Sequence, residues 1–327
     1  MNGSYGFSAV GSLLGASPAM QDVFRLIERV GPTDASVLLT GESGSGKELA
    51  AQSIHECSER RGAPFIAMNC GAIPAGLMEA ELFGYENGSV TGAAGPRAGV
   101  FERAHGGTLL FDEVTEMPLD MQTRLLRVLE TQKFYRVGAS TELWADVRLI
   151  TSTNTCPLQS VQNGRLREDL LYRLAVFPID MPPLRNRGHD VQLLAEHFLA
   201  ELNAQSRTQK RLSAFAQLML LQHTWPGNVR ELKNCIERAF ILGEGVLELA
   251  PLTPAGASSD SAPINGRERL DIRVGSRIDD VERSLIEATL DYFKGNKRRA
   301  ADALGCSLKT LYNKLNGYSQ SQECTNS

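Results

Sequence analysis

The chain has 327 residues, of which 42 % are hydrophobic and 22 % charged, a composition typical of a globular protein of two or three domains. Its formal net charge of −4 excludes a molecule that binds nucleic acid by overall charge, so such binding requires a local basic patch. The six cysteines form no C-x-x-C pair, and the chain has neither a membrane-length apolar run nor a signal-peptide pattern. We therefore predict a cytoplasmic protein without disulfides, zinc or membrane contact.

A glycine-rich turn between a strand and a helix is the first functional signal along the chain. Helical periodicity begins at Ser17-Pro18, a capping residue followed by proline, and an apolar, β-branched strand follows at 36–40. A helical pattern then occupies residues 48–55. The turn between them fits G-x-x-x-x-G-K and is called here the phosphate loop; its residues are Gly41, Glu42, Ser43, Gly44, Ser45, Gly46, Lys47 and Glu48.

Strand, loop and helix together predict a cradle for the phosphates of a nucleoside triphosphate. Glycines let successive backbone N–H groups turn toward a polyphosphate, and the helix N-terminus favours negative charge. Lys47 would neutralise the β- and γ-phosphates. Glu48 stands where the general pattern has a Ser or Thr ligand to magnesium, so more of that work would fall to Asp112 and water.

A second signal is the pair of carboxylates that ends an apolar strand, Leu109-Leu110-Phe111-Asp112-Glu113. Asp112 would hold the magnesium shell, and Glu113 would polarise an attacking water. A phosphate-loop pattern alone occurs by chance, and a strand ending in Asp-Glu is also common as a solvated turn. Because both motifs occur in this order and context, we predict that the chain binds and hydrolyses a nucleoside triphosphate.

The remaining patterns predict an α/β fold. Strand and helix patterns alternate at residues 64–69, 119–132, 146–151 and 175–179. This alternation favours a mostly parallel sheet with helices on both faces. Ligands bind at the carboxyl ends of such strands, which is where Gly41, Asp112 and Asn154 fall.

We divide the chain into five segments by composition and periodicity. They are a lead at 1–12, an α/β ATPase subdomain at 13–184, a helical lid subdomain at 185–250, a flexible Pro/Ala/Gly/Ser-rich linker at 251–277 and an all-α domain at 278–327.

The last segment has the pattern of a helix-turn-helix. One short helix closes at Gly305, and Ser307 caps a second helix that would enter the major groove of DNA. An ordinary helical hairpin with a solvated basic face is the alternative interpretation. The helix at about 278–293 is the candidate surface for dimer pairing. The predicted DNA contacts are Lys297, Arg298, Arg299, Lys309, Thr310, Asn313 and Lys314.

Roughly residues 13–250 resemble one family, the AAA+ ATPase module of bacterial sigma-54-dependent transcription activators, also called enhancer-binding proteins, and the carboxyl end resembles a Fis-type helix-turn-helix. In this family Glu is usual after the loop lysine, so Glu48 departs only from the general pattern. The stretches that carry the resemblance are GESGSGKE at 41–48, FIAMNCGAIP at 65–74, AELFGYENGSVTGA at 80–93, GVFERAHGGTLLFDEV at 99–114, LLRVLE at 125–130, LREDLLYRL at 166–174, MPPLRNR at 181–187 and WPGNVRELKN at 225–234.

The resemblance implies roles for polar residues around the predicted nucleotide. Asn69 resembles the asparagine that restrains the catalytic glutamate, here Glu113, and couples it to partner contact. Thr153 and Asn154 lie where the first sensor residues sit, near the γ-phosphate. Considered alone, Asn69 would be interpreted as a strand-end cap.

Three arginines also receive roles from the resemblance. Arg167 and Arg173 resemble the arginine fingers that reach into the site of a neighbouring subunit. Arg230 resembles the second sensor, which reports the nucleotide state to the lid. Outside this context, all three would be interpreted as surface charges.

The family's hallmark is a GAFTGA loop that touches the sigma factor, and this chain departs from it. Val90 replaces the aromatic residue and Ser89 replaces the first alanine, so the loop offers less contact area. Either the loop still engages sigma-54, more weakly or with a partner subunit, or it has lost remodelling; we favour retained activation, because every ATPase element is intact. This sigma-contact loop consists of Gly88, Ser89, Val90, Thr91, Gly92 and Ala93.

The resemblance implies an ATPase that uses ATP and Mg²⁺, assembles into a hexameric ring, binds double-stranded enhancer DNA through paired helix-turn-helix domains and remodels the sigma-54 RNA polymerase holoenzyme. The first alternative is an ATP-responsive DNA-binding regulator that does not act through sigma-54. The second is a general AAA+ remodeller, against which the helix-turn-helix and the sigma-contact loop argue. Because the ATPase pattern begins near residue 13, we expect no receiver domain and control by expression level, a separate regulatory protein or a hetero-oligomeric partner.

Overall fold

The computed structural model describes residues 8–89, 95–250, 278–293, 296–306, 309–311 and 314. The chain divides into two compact units, Met1–Leu252 and Thr253–Ser327. The predicted linker at 251–277 lies outside the described residues. The predicted boundary between ATPase subdomain and lid falls inside the first unit and stays a prediction.

A five-stranded sheet, parallel throughout, is the frame of the first unit. Its registers place Asn69 opposite Asp112 and Thr153 opposite Thr40, so the carboxyl ends of four strands lie side by side. The predicted α/β fold is therefore confirmed. From one edge to the other, the strands are β11 (Phe177–Asp180), β3 (Val37–Thr40), β10 (Arg148–Thr153), β7 (Thr108–Asp112) and β4 (Phe65–Asn69).

Helices cover both faces of this sheet, and the alternation of side chains along the strands creates two cores. The helices are α1 (Pro18–Val30), α2 (Lys47–Glu56), α3 (Ala75–Phe83), α4 (Val100–Arg103), α5 (Leu119–Thr131), α6 (Pro157–Gln162) and α7 (Glu168–Leu174). In β7, Leu109 and Phe111 belong to the core with α3, α5 and α7, whereas Leu110 belongs to the core with α1 and α2.

Helix α1 begins where the sequence predicts. The Ser17 side chain accepts a hydrogen bond from the backbone N–H of Met20 at 3.4 Å, and Pro18 occupies the first turn. The segment before α1 is more ordered than the predicted lead. It contains an antiparallel hairpin of β1 (Ser8–Val10) and β2 (Leu13–Gly15). Strands of three residues are too short to produce a recognisable period in the sequence.

The helical lid consists of α8 (Asp190–Ser206), α9 (Ala214–Gln222) and α10 (Asn228–Leu242). These helices pack around Trp225, whose indole N–H donates to the carbonyl of Leu220 at 2.9 Å. The sequence predicted helices only, but the lid also holds a parallel pair of two-residue strands, β12 (Arg211–Leu212) and β13 (Val246–Leu247).

The lid is tied to the amino-terminal side of α1 by one carboxylate. Asp190, buried at the start of α8, accepts hydrogen bonds from the backbone N–H of Ala16 at 2.8 Å and from that of Ser17 at 2.9 Å. The Ser17 hydroxyl donates to its second oxygen at 2.7 Å. The chain that enters α1 is therefore hydrogen-bonded to the lid.

The stem of the sigma-contact loop is joined to a neighbouring hairpin. Strands β5 (Gly84–Tyr85) and β6 (Arg97–Ala98) form the stem, and β8 (Lys133–Tyr135) pairs with β9 (Glu142–Trp144). Between them, the N–H of Val137 donates to the carbonyl of Gly84 at 2.9 Å. The stem and the hairpin therefore share backbone pairing.

The second unit contains α11 (Ile278–Tyr292) and α12 (Lys297–Ala303). A small core joins Ile286, Ala300, Ala301 and Leu311. Gly305 follows α12 with φ +65°, the left-handed conformation expected where a helix closes on glycine. Within the described part of the chain, no helix is long and apolar enough to cross a membrane.

Candidate nucleotide site

The phosphate loop joins β3 to the amino end of α2 in a conformation that requires glycine. Gly41, Gly44 and Gly46 have φ values of +141°, +75° and +100°. A Cβ added to Gly44 would lie 2.4 Å from the carbonyl oxygen of Gly227 in the lid. Gly46 caps α2 without a side-chain hydrogen bond, so the first N–H groups of this helix face the loop uncapped by any side chain.

The buried polar groups of the loop fit a polyphosphate ligand. Lys47 is 8 % exposed, and its ammonium donates to the carbonyls of Gly41 at 2.7 Å and Glu42 at 3.0 Å. Burial lowers the pKa of Lys47, whereas the carboxylates of Asp112 and Glu113 act in the opposite direction. The hydroxyl of buried Ser45 has no hydrogen-bond partner among the described residues. The Ser45 hydroxyl and the uncapped N–H groups around the buried Lys47 ammonium are suited to bind phosphate oxygens.

Asp112 ends β7 and is held from both neighbouring strands. The side-chain amide of Asn69 donates to Oδ2 of Asp112 at 2.9 Å, and the Ser152 hydroxyl donates to Oδ1. Oδ1 of Asn69 accepts the N–H of Ala72 at 3.0 Å, which fixes the orientation of the amide. The resemblance led us to expect Asn69 to hold Glu113, but in this structure its amide is bonded to Asp112. Ser152 was not predicted as a site residue.

Glu113 occupies a strained turn beside Asn69. Its φ of +56° and ψ of +48° are uncommon for a residue other than glycine. A Cβ added to Gly71 would lie 2.7 Å from Oε2 of Glu113 and 3.4 Å from Oδ1 of Asn69. The two side chains are thus neighbours, although no hydrogen bond joins them among the described contacts. Strained backbone of this kind costs about 1–3 kcal/mol and clusters at functional sites.

The predicted first sensor residues differ in exposure. Thr153 is fully buried, and its hydroxyl is 3.2 Å from that of Thr115 and 3.1 Å from that of Thr155. Asn154 follows at the carboxyl end of β10 and is exposed. The structure therefore places Thr153 in a buried hydroxyl cluster and leaves Asn154 as the accessible member of the pair.

The amino end of α10 rests on the phosphate loop. The guanidinium of Arg230 donates to the Ser43 hydroxyl at 2.9 Å, and the N–H of Val229 donates to the carbonyl of Gly44 at 3.0 Å. The amide of buried Asn228 donates to the carbonyl of Ser43 at 3.1 Å. The structure thus brings the predicted second sensor, Arg230, to the loop.

Two arginines from the segment before α8 also contact the loop. Arg185 binds the carboxylate of Glu42 with two hydrogen bonds, at 2.8 Å and 2.5 Å, which together with Asn228 lower the pKa of Glu42 to about 2. Arg187 is 2 % exposed and donates to the carbonyls of Pro182, at 2.8 Å, and Ser45. Burial lowers the pKa of Arg187 to about 10.

Sequence reasoning did not select Arg185, Arg187 or Asn228 as site residues. The only signal for them was their presence in two of the stretches that carry the family resemblance, 181–187 and 225–234.

The predicted arginine fingers and Glu48 lie on the surface. Arg167 donates to the carboxylate of Asp169 at 2.7 Å, and Arg173 donates to the carbonyl of Leu129 at 2.9 Å. Glu48 is exposed in the first turn of α2. Within the described part of the chain, no hydrogen bond of Arg167 or Arg173 reaches the phosphate loop.

Of the sigma-contact loop, only Gly88 and Ser89 are among the described residues, whereas residues 90–93 lie outside them. The Ser89 hydroxyl donates to the carbonyl of Glu86 at 2.6 Å. Arg136, from the β8–β9 hairpin, contacts Glu86 at 2.9 Å and Glu102 at 2.7 Å. The base of the loop is thereby fixed by charge as well as by backbone pairing.

Most of the predicted DNA-contacting residues are exposed. They are Lys297, Arg298 and Arg299 on α12, with Lys309 and Thr310 beyond it. Lys314 differs, because its ammonium is paired at 2.5 Å with Glu282 of α11. Asn313 lies outside the described residues.

A parallel sheet with this strand order, a glycine-rich phosphate loop, a carboxylate pair at the end of β7 and a helical lid bonded to the loop define a P-loop ATPase of the AAA+ class. No cluster of three His, Cys, Asp or Glu side chains suited to a metal occurs in the described ranges. Magnesium usually takes one or two carboxylates together with substrate phosphates and water, and Asp112 offers such a carboxylate beside the phosphate loop.

Comparisons with known proteins give the family. The model of the Sigma-54 interaction domain matches residues 13–180, that of the AAA+ ATPase lid domain matches 185–265, and that of the bacterial regulatory protein, Fis family, matches 277–318. The chain belongs to the family of sigma-54-dependent transcription activators.

Individual relatives are similar along most of the chain. The transcriptional regulatory protein FlbD of Caulobacter vibrioides is 43 % identical, over 92 % of this chain and 69 % of its own length. The transcriptional regulator NtrC of Azospirillum brasilense is 41 % identical, over 93 % and 68 %. The crystal structure of NtrX from Brucella abortus in complex with ATP is 35 % identical, with a TM-score of 0.69, and covers 94 % of this chain and 69 % of that one.

Proposed function

We propose that this protein is a sigma-54-dependent transcription activator, an ATPase that binds enhancer DNA and uses ATP turnover to remodel the closed complex of sigma-54 RNA polymerase. The observation that carries the proposal is the direct bonding of the lid to the phosphate loop. The residues of the phosphate loop that would hold the phosphates are contacted by Arg230, Val229 and Asn228. A change in the bound nucleotide would therefore alter the hydrogen bonds that join the lid to the loop.

The chemistry follows from the positions of the charged groups. Lys47 and the N–H groups at the start of α2 would hold the phosphates of ATP, and Asp112 would hold Mg²⁺, which neutralises charge on the transferred phosphoryl group. Glu113 would orient and polarise the attacking water. Asn154, exposed at the end of β10, is suited to contact the γ-phosphate.

The exposed arginines favour a site completed by a second copy of the chain. Arg167, Tyr172 and Arg173 are all exposed, so residues 167–173 offer both charge and apolar contact. We assign the two arginines as fingers in a hexameric ring, in which an arginine supplied in trans adds ~10³–10⁵ in rate. ATPase activity would then depend on assembly.

DNA recognition is assigned to the basic surface of the second unit. Lys297, Arg298 and Arg299 are exposed on one short helix of an otherwise acidic protein. Such a patch suits phosphate contact and would place the following helix in the major groove. We also propose that two such domains pair and that the protein is cytoplasmic. A separate regulatory protein or a mixed ring would control it.

One observation favours a second candidate function. Val90 replaces the aromatic residue of the sigma-contact loop, so the protein would be an ATP-responsive DNA-binding regulator if the loop no longer engages sigma-54.

The deciding experiment is ATP-dependent open-complex formation on a sigma-54 promoter with purified protein, polymerase and sigma factor. Open complexes that disappear with Glu113→Ala, while the exposed Glu59→Ala outside the phosphate loop retains them, support the activator. ATP hydrolysis without open complexes supports the second candidate and refutes remodelling by this chain alone.

A further inference from the structure

Three polar side chains form a row across the carboxyl edge of the sheet. The β4–β7 register pairs Asn69 with Asp112, and the β10–β7 register pairs Thr151 with Phe111, so Ser152 is the next residue on β10 beside Asp112. Residues opposite each other in register point to the same face of a sheet. Asn69, Asp112 and Ser152 therefore share one face.

That face is the one covered by the helix that carries Lys47. Leu110 precedes Asp112 by two residues, and Ile150 precedes Ser152 by two residues. Both belong to the core formed with α1 and α2, and α2 begins at Lys47. The row consequently continues the nucleotide side of the sheet, in agreement with the effect of the Asp112 carboxylate on the pKa of Lys47.

The row fixes the direction of the Asp112 carboxylate. Asn69 donates to one oxygen at 2.9 Å, and the hydroxyl of fully buried Ser152 donates to the other. Partners that bond to metal ligands orient them and tune the affinity of the site for the metal.

We propose that Ser152 is a positioning residue for magnesium, which sets the orientation of the Asp112 carboxylate from the neighbouring strand. The inference rests on the proposed ATP hydrolysis with Mg²⁺. Ser152 acts only through Asp112, because its hydroxyl is buried and bonded to that carboxylate. Asn69 fixes the other oxygen, so the two strands that flank β7 hold the metal ligand between them.

The test compares two buried hydroxyls in consecutive positions of β10. Ser152→Ala removes the hydroxyl that contacts Asp112. The matched control is Thr151→Val, because Thr151 is equally buried but donates to the backbone carbonyl of Val37 at 3.3 Å. Binding of a fluorescent ADP analogue is measured in the full-length protein over a magnesium series and in EDTA, and ATP hydrolysis is measured over the same series.

We expect Ser152→Ala to raise the magnesium concentration for half-maximal ADP binding and ATP hydrolysis about tenfold, the lower end of the range for such partners. ADP affinity in EDTA stays unchanged, and Thr151→Val keeps the wild-type magnesium dependence.

Superimposable magnesium curves for Ser152→Ala and the wild type overturn the inference. Equal losses of ADP affinity in EDTA and in magnesium also overturn it, because they reveal a purely structural hydroxyl. A wild-type protein that binds no nucleotide at any magnesium concentration instead refutes the proposed ATPase, and the inference with it.

Discussion

Arg187 offers the sharpest test of how the lid supports the phosphate loop. Its guanidinium is buried and bonded to the carbonyls of Ser45 and Pro182. Replacement by methionine keeps the length and the apolar stem of the side chain but removes every donor. The substitution Arg187→Met therefore leaves two carbonyl acceptors without this partner, one of them within the loop.

The expected loss of stability follows from two opposing effects. Each buried acceptor left without a partner costs about 1–3 kcal/mol, or about 2–6 kcal/mol for both. Burial lowers the pKa of Arg187 to about 10, a penalty of about 3 kcal/mol on the charged form that methionine does not carry. Subtracting this penalty from the middle of the first range, about 4 kcal/mol, we expect a net loss of about 1 kcal/mol and, at about 2–4 °C per kcal/mol for a unit of this size, a midpoint lower by about 2–4 °C.

The matched control is Arg185→Met, two residues earlier in the chain. Arg185 and its partner Glu42 have side chains that are 43 % and 41 % exposed, and such pairs contribute no more than about 1 kcal/mol. Thermal unfolding is followed by circular dichroism without nucleotide, and ATP affinity is measured by calorimetry. We expect Arg187→Met to lower the midpoint by about 2–4 °C and to weaken ATP binding, and Arg185→Met to change both by less.

Two results would refute this reasoning. If the two variants lose the same stability, burial of the guanidinium does not govern its contribution. If Arg187→Met is as stable as the wild type, the removal of a buried charge compensates for the lost hydrogen bonds to the two carbonyls, and Arg187 does not hold the loop to the lid.

Three further predictions concern other parts of the chain. Gly44→Ala should weaken ATP binding at least about tenfold by calorimetry, because φ is +75° and the new Cβ meets a lid carbonyl at 2.4 Å; Gly62→Ala, which meets nothing within 4 Å, should not. Burial lowers the pKa of His55, so the unfolded chain takes up this proton first. Its contribution to stability is therefore full above about pH 6.5 and decreases as the pH falls toward the folded pKa; the unfolding midpoint should drop between about pH 7 and 5.5, and less in His55→Gln. Val90→Phe should increase activation of a sigma-54 promoter in a reporter assay, whereas unchanged activation would argue against a weakened loop contact.

The sheet and the phosphate loop could be predicted because their signals are local. The strands β3 and β7 are short, mainly apolar runs, as is typical of buried parallel strands, and the loop needs glycine at fixed spacing. By contrast, the three-residue strands of the β1–β2 hairpin carry no period that distinguishes them from irregular chain.

The partners within the site depend on contacts between distant parts of the chain. Arg185 meets Glu42 across 143 positions, and Ser152 meets Asp112 across 40 positions. Sequence spacing encodes neither contact, because each arises from the order and register of strands in the sheet or from the packing of the lid. The role of Asn69 in restraining Glu113 stays a prediction from the resemblance. The hydrogen bond that the structure shows, from Asn69 to Asp112, follows from the register that places these two residues opposite each other.

The hydrogen bonds of Asp190 connect the segment before α1 to the part of the lid that contacts the phosphate loop. A pull on the backbone of Ala16 or Ser17 is transmitted through one carboxylate to the first residue of α8, three positions after Arg187 and its bond to the phosphate loop. The β1–β2 hairpin is thus connected to the phosphate loop through the hydrogen bonds of Asp190 and Arg187. A displacement of this hairpin would therefore reach the phosphate loop without any contact at the nucleotide itself.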